Sequence, residues 1–340
     1  MNSQIQRNSA FELIRIIAIL FIVTGHIFHH AFRGELSIHD YCTPFFATGV
    51  NLFILISGYH NIKLKWKSLL TITTTAIFIY SITTIIYTLC TGNIVAPGYV
   101  VRILAPMSRG GYWFVSCYMM LMLLSPAINL ILEKSNKKRY YLFVIVLLYL
   151  NCVSGWIMNN PINSTGYTLL HMILIYTLGD MTRRYNLINK ERQKGYLVYI
   201  YITATAAIFI INEIIPLIPY NSTYLNIKLY SYNNPLVIIA SIALFCFIAK
   251  YKFHSNGINN IAKYAFALYL VQDCYPFGGY LYNRLYEHAQ SANTLLCIIV
   301  YLCVLFLLTY ILEKTRRFIL NKPIDKLSDF LEKKINISQE

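Results

Sequence analysis

The stretch FELIRIIAILFIVTGHIFHH, Phe11–His30, reads as one apolar span interrupted by Arg15 and His26. About 20 apolar residues in a helix cross a roughly 30 Å hydrocarbon layer, so the stretch has the length of a transmembrane helix. The spacing from Arg15 to His26 is close to three helical turns, which puts both side chains on one face about 16 Å apart. Glu12 stands one turn before Arg15, within reach of an ion pair. An arginine at the bilayer centre costs at least about 2.5 kcal/mol on the insertion scale, so ionisable groups kept there usually face the protein interior and serve function. On spacing alone two accounts stand open. Either Arg15 snorkels to headgroups while His26 bonds a neighbouring carbonyl, or the pair forms a polar stripe along an interior cavity.

The rest of the chain extends this reading. Its 340 residues are 57% hydrophobic and 13% charged with mean hydropathy +0.51, whereas an ordinary globular domain is about half apolar and a quarter charged. The sequence predicts an all-α polytopic membrane bundle of ten transmembrane helices, near 9–31, 43–60, 67–90, 111–133, 139–157, 168–185, 196–215, 235–252, 258–276 and 293–313, with no separate soluble domain. An even count puts both termini on one side. With both termini cytoplasmic, all of the 29 lysines and arginines fall inside except Arg33, Arg102, Arg109, Lys228 and Arg284, as the positive-inside rule requires. Residues 1–314 then form the transmembrane domain, and 315–340, with FILNKPIDKLSDFLEKK, a cytoplasmic amphipathic tail lying at the interface.

Topology also accounts for the net charge of +15, because the basic residues sit in short runs between apolar segments and build no nucleic-acid surface. The eight cysteines lie singly, without a C-x-x-C pair, and are expected to be buried small hydrophobes with no metal site. Arg7 before an apolar run suggests a signal peptide, but the internal Arg15 and the missing small-residue cleavage site argue against one. No internal repeat is evident in the sequence.

Other spans carry polar groups as well. GVNLFILISGY, Gly49–Tyr59, places Asn51 mid-span and Ser57-Gly58 near the inner end, a small step that admits a neighbouring helix or a ligand. Ser57 lies outside any G-x-S-x-G elbow and is not read as a nucleophile. Lys63, Lys65 and Lys67 follow, a cationic cluster suited to phosphates and equally to topology. Tyr112 and Trp113 in RGGYWFVSC are expected as interfacial belt aromatics, like His29 and His30 at the same outer level. Gln272 and Asp273 fall near the outer face, where Asp273 would orient and charge-stabilise His26 if the helices adjoin. His171, Asp180 and Glu213 are lower-ranked candidates. The outer loops near 91–110 and 216–234 read as an acceptor-facing rim or as plain connections.

Together these elements resemble the acyltransferase 3 family of integral-membrane acyltransferases. RNSAFELIRIIAILFIVTGH is similar to the family's first-helix arginine and histidine, here Arg15 and His26. NLFILISGY resembles its F-F-x-x-S-G element with Ile54 at the second phenylalanine, GGYWFV with Pro126 its W-[FY] helix, and YAFALYLVQD its late Y-L-[IV]-[HQ] element with Gln272. The family's R-x-x-R pair after the Ser-Gly step is replaced by KLKWK, which loses the forked geometry of arginine. The resemblance implies transfer of an acetyl group from cytosolic acetyl-CoA, a co-substrate and not a bound cofactor, to a hydroxyl of a cell-surface or lipid-linked glycan at the bacterial inner membrane. It makes His26 the general base, its unperturbed pKa of about 6.5 suiting the task. Arg15, Ser57, Lys63, Lys65 and Lys67 fall on the donor side, and Asn51, Tyr112, Trp113 and Gln272 on the acceptor side. The rival expectations are a lipid-linked sugar flippase with the polar stripe as its path, and a membrane scaffold that leaves the stripe unexplained.

Overall fold

The computed structural model describes residues 8–32, 38–94, 101, 112–188, 194–214 and 229–337. Arg7, Arg33, Arg102, Arg109, Lys228 and most of the two long outer loops lie outside them. Regular structure among the described residues is helical: α1 (Ser9–His26) continued by a π-helical turn (Ile27–Ala31), α2 (Ile38–Phe46), α3 (Gly49–Tyr59), α4 (Trp66–Thr91), α5 (Trp113–Lys134), α6 (Lys137–Leu148) continued by a π-helical segment (Tyr149–Ile157), α7 (Leu169–Arg184), α8 (Lys194–Ile214), α9 (Pro235–Ala249), α10 (Asn256–Ala262), α11 (Ala265–Gln272), α12 (Phe277–Ser291) and α13 (Thr294–Ile337). The chain is a helical membrane bundle, and among the described residues seven stretches are long and apolar enough to span a bilayer: Ser9–Ala31, Cys42–Tyr59, Trp66–Thr91, Trp113–Lys134, Lys137–Ile157, Gly195–Ile214 and Thr294–Lys334.

Each of the ten predicted spans falls on helix, two of them interrupted. The second is broken between α2 and α3, where the Thr48 hydroxyl turns back to Phe45 O at 2.7 Å. The ninth, expected as one helix over 258–276, is two short helices, α10 and α11, the second ending at Gln272. The polar segment that follows is itself helical. In α12 the buried Gly278, Tyr282, Leu285 and Ala289 keep a helical period that the surrounding charges mask in the sequence. The expected boundary at residue 314 falls inside α13, which runs unbroken from Thr294 to Ile337.

Local chemistry explains why these segments are helical. Side-chain oxygens of Asn8, Asn136, Thr168, Asn234 and Ser255 accept first-turn N–H groups, capping α1, α6, α7, α9 and α10. The threonine-rich α4 tolerates a bilayer because its hydroxyls donate one turn back: Thr71 to Lys67 O at 2.7 Å, Thr75 to Thr71 O at 2.6 Å and Thr83 to Ile79 O at 2.7 Å.

The chain divides into two compact units. The first comprises residues 1–29, 33–62 and 120–263, in which α3 packs on α7, α9 on α8, and α1 on α3, α9 and α10. The second comprises 30–32, 63–119 and 264–340, in which α11 packs among α4, α12 and α13. The cysteines differ from expectation. Cys152, Cys246 and Cys274 are buried, but Cys90 and Cys303 are exposed on apolar helices, where lipid would cover a thiol as a protein core does.

Candidate active site

The site is built from α1. Its first turn is pinned within the first unit: Ser9 N–H donates to Phe253 O at 2.8 Å, the Ser9 hydroxyl to Asn259 Oδ1 at 2.9 Å, and Ser255 N–H to Ser9 Oγ at 2.8 Å. Farther along, Gly49 of α3 presses on α1 so closely that a Cβ there would lie 2.9 Å from Ala18 O. These contacts fix how α1 is rotated. At about 100° per residue, Arg15 and His26 project about 20° apart, between the directions of Ile22 and Ile19. Those two are 9% and 2% exposed, and Ile14, Ala18 and Val23 on the same arc are fully buried. Arg15 and His26 therefore lie at the centre of the helix's buried side, yet both keep intermediate exposure there. Both lie on the buried side of α1 and not on its most exposed face.

Arg15 Nη1 donates to Glu12 Oε1 at 2.5 Å, the pair anticipated from their spacing, with the Glu12 side chain 5% and that of Arg15 32% exposed. A lone buried carboxylate would be costly, and the guanidinium neutralises it while its other donors stay available. Directly after His26 the helix widens into the π-helical turn Ile27–Ala31. Such turns alter side-chain direction and are frequent at functional sites.

The Ser-Gly step is a packing feature. A Cβ on Gly58 would sit 2.0 Å from Tyr176 O of α7, and one on Gly179 would sit 2.5 Å from Leu55 O. The Ser57 hydroxyl, on the next position, donates to Phe53 O at 3.3 Å and is buried. Asn51 belongs to a buried amide network: its Oδ1 lies 2.8 Å from His171 Nε2, its amide donates to Tyr232 O at 3.2 Å, and His171 Nδ1 lies 3.3 Å from Asn151 Oδ1. Asn163 and Asn233 extend this network to the segment before α9. It joins α3, α6, α7 and α9 as polar glue, and the acceptor role expected of Asn51 meets an amide already engaged on both atoms. Asp180 is fully buried and bound by Arg183, Arg184 and Tyr140, whereas Glu213 is exposed near the end of α8.

In the second unit Lys63 and Lys65 are exposed, on an extended segment leading into α4. Lys67 is paired with Asp325 at 2.7 Å, both well exposed. Tyr112 departs from expectation. It is no belt residue, because it is fully buried and its hydroxyl donates to Leu270 O at 2.9 Å, tying α5 to α11. Trp113 is half-buried beside the Phe114 ring. Gln272, fully buried, accepts from the Tyr282 hydroxyl at 2.9 Å. Asp273 stands half-buried at the end of α11. His26 belongs to the first unit and Asp273 to the second.

One pattern escaped the sequence reading. α7 ends in Asp180-Met-Thr-Arg-Arg184, and the middle of α13 carries Glu313-Lys-Thr-Arg-Arg317. In each, one buried carboxylate holds the arginines three and four positions on.

The model of the acyltransferase 3 family, an acyltransferase domain, matches residues 8–314. The chain belongs to that family. No curated protein and no solved structure matches it. This acyltransferase 3 member is therefore a multi-pass membrane acyltransferase, and neither the flippase nor the scaffold expectation accounts for a match over nearly the whole bundle. Arg15, His26, Ser57, Trp113 and Gln272 lie inside the matched region, whereas Arg316 and Arg317 lie beyond it.

Proposed function

We propose that the protein transfers an acetyl group from acetyl-CoA to a hydroxyl of a cell-surface or lipid-linked glycan at the bacterial inner membrane. The observation that carries this reading is the shared, partly exposed position of Arg15 and His26 on the buried side of α1. The charge bias supports both termini in the cytoplasm, which sets Arg15 toward the inner leaflet and His26 toward the outer one. His26 takes the proton of the acceptor hydroxyl as its oxygen attacks the acetyl carbonyl. The carbon–sulfur bond then breaks, and the CoA thiolate receives the proton that His26 holds. Arg15, kept in place by Glu12, holds the donor toward the inner end. Lys63 and Lys65 supply positive charge for CoA phosphates at the inner end.

The test is acetyl transfer from labelled acetyl-CoA in membranes carrying the wild-type chain or His26→Ala. Loss of transfer at equal membrane levels of the two proteins is expected. Undiminished transfer by the variant would remove His26 as base, and a wild-type protein that never consumes acetyl-CoA would remove the donor.

A further inference from the structure

The two carboxylate–arginine clusters, at the end of α7 and within α13, share their wiring but not their balance. In the second unit Arg316 donates from Nε to Glu313 Oε2 at 2.7 Å and from Nη2 to Glu313 Oε1 at 2.9 Å, while Arg317 Nε donates to the same Oε1 at 2.7 Å. Glu313 is 5% and Arg316 3% exposed, so one carboxylate serves two guanidiniums in a site nearly closed to water. Arg316 Nη1 is buried and finds no acceptor among the described residues. A buried donor without an acceptor is costly, and arginine's planar fork matches phosphate oxygens in particular. The cluster also has an open edge: the Arg317 side chain is 31% exposed and lies over the Tyr264 ring at 5.1 Å, and the exposed Lys314 reaches the Tyr310 hydroxyl. In the α7 cluster the corresponding Arg183 is 42% exposed, so water meets its remaining donors.

We propose that Arg316 and Arg317 form a phosphate-binding site beyond the family-matched region, at the end of the second unit that the charge bias places in the cytoplasm. Arg316 Nη1 and the exposed edge of Arg317 take the phosphate oxygens, and Glu313 holds both guanidiniums in orientation. The phosphate comes from one of two sources, the nucleotide end of the acyl donor or an anionic lipid headgroup. Only the first rests on the function proposed above.

The full chain, purified in a phosphate-free maltoside detergent, separates the sources. Titration with 3′,5′-ADP followed by calorimetry reads the nucleotide arm, and native mass spectrometry with added phosphatidylglycerol reads the lipid arm. Arg316→Met is expected to weaken binding in one arm at least tenfold, and Arg316→Lys, which keeps charge but loses the fork, to weaken it less. If Arg316→Met fails to fold, Arg316→Lys and Arg317→Met carry the same comparison. Unchanged binding in both arms by folded variants overturns the site. Acetyl transfer by the wild-type chain is read independently, so failure of the proposed function and failure of this site are distinguishable.

Discussion

Asp180-Met-Thr-Arg-Arg184 in the first unit and Glu313-Lys-Thr-Arg-Arg317 in the second are built alike to a fine level. In both, the carboxylate accepts from the arginines at i+3 and i+4, and the second arginine lies over a tyrosine ring at 5.1 Å, Arg184 over Tyr140 and Arg317 over Tyr264. They part at the first arginine. Arg183 is 42% exposed, whereas Arg316 is 3% exposed. Asp180 also receives the Tyr140 hydroxyl at 3.1 Å. One short pattern thus yields a water-facing anchor in one setting and a buried cation in another. Helical spacing sets the pairing, and the packing around it sets the electrostatic consequence.

The sharpest way to break this comparison is to remove each carboxylate. Glu313→Gln leaves two guanidiniums without a counter-charge, one of them buried, and is expected to cost about 3–5 kcal/mol. Asp180→Asn is expected to cost less, about 1–3 kcal/mol, because Arg183 and Arg184 can turn to water. Thermal unfolding in detergent reads both, and equal losses would show that burial of Arg316 adds nothing. The next effect concerns the simpler pair of α1, where one carboxylate serves one arginine. Arg15→Ala is expected to lower acetyl transfer about 100-fold, the scale of losing one hydrogen bond from a charged group to the donor, at unchanged protein level. A stability loss without an activity loss would recast Glu12–Arg15 as another anchor. Gly58→Ala supplies a charge-free standard for packing strain, since its Cβ would run into Tyr176 O, and should cost about 1–3 kcal/mol. Least of all, Lys67→Ala should leave the unfolding temperature unchanged, because its pair with Asp325 is screened by water.

Much of the bundle was legible because bilayer crossing imposes length and apolarity on each helix. The Arg15–His26 stripe was equally legible, since helical period alone puts two residues on one face. What the sequence hid depends on partners distant along the chain. Tyr112 reads as an interfacial aromatic until Leu270 O is found receiving its hydroxyl. Asn51 reads as a free mid-span amide until His171 and Tyr232 are found on either side of it. Helix α12 was lost to its charges. The twin Arg-Arg ends were hidden for another reason, because positive residues are expected at inner helix ends and so attracted no notice. Which of them turns inward is decided by the neighbours of α13, not by its own residues.

The crossing of α3 and α7 at Gly58 and Gly179 bears on how relatives of this chain should be compared. Every codon change away from glycine adds at least one carbon, and either position would drive that carbon into the opposing main chain. Sterics by themselves would therefore freeze the residue after Ser57 through any amount of evolutionary drift. An invariant glycine in that column of an alignment is evidence of a tight crossing and leaves the chemistry of the serine before it to be judged by other means.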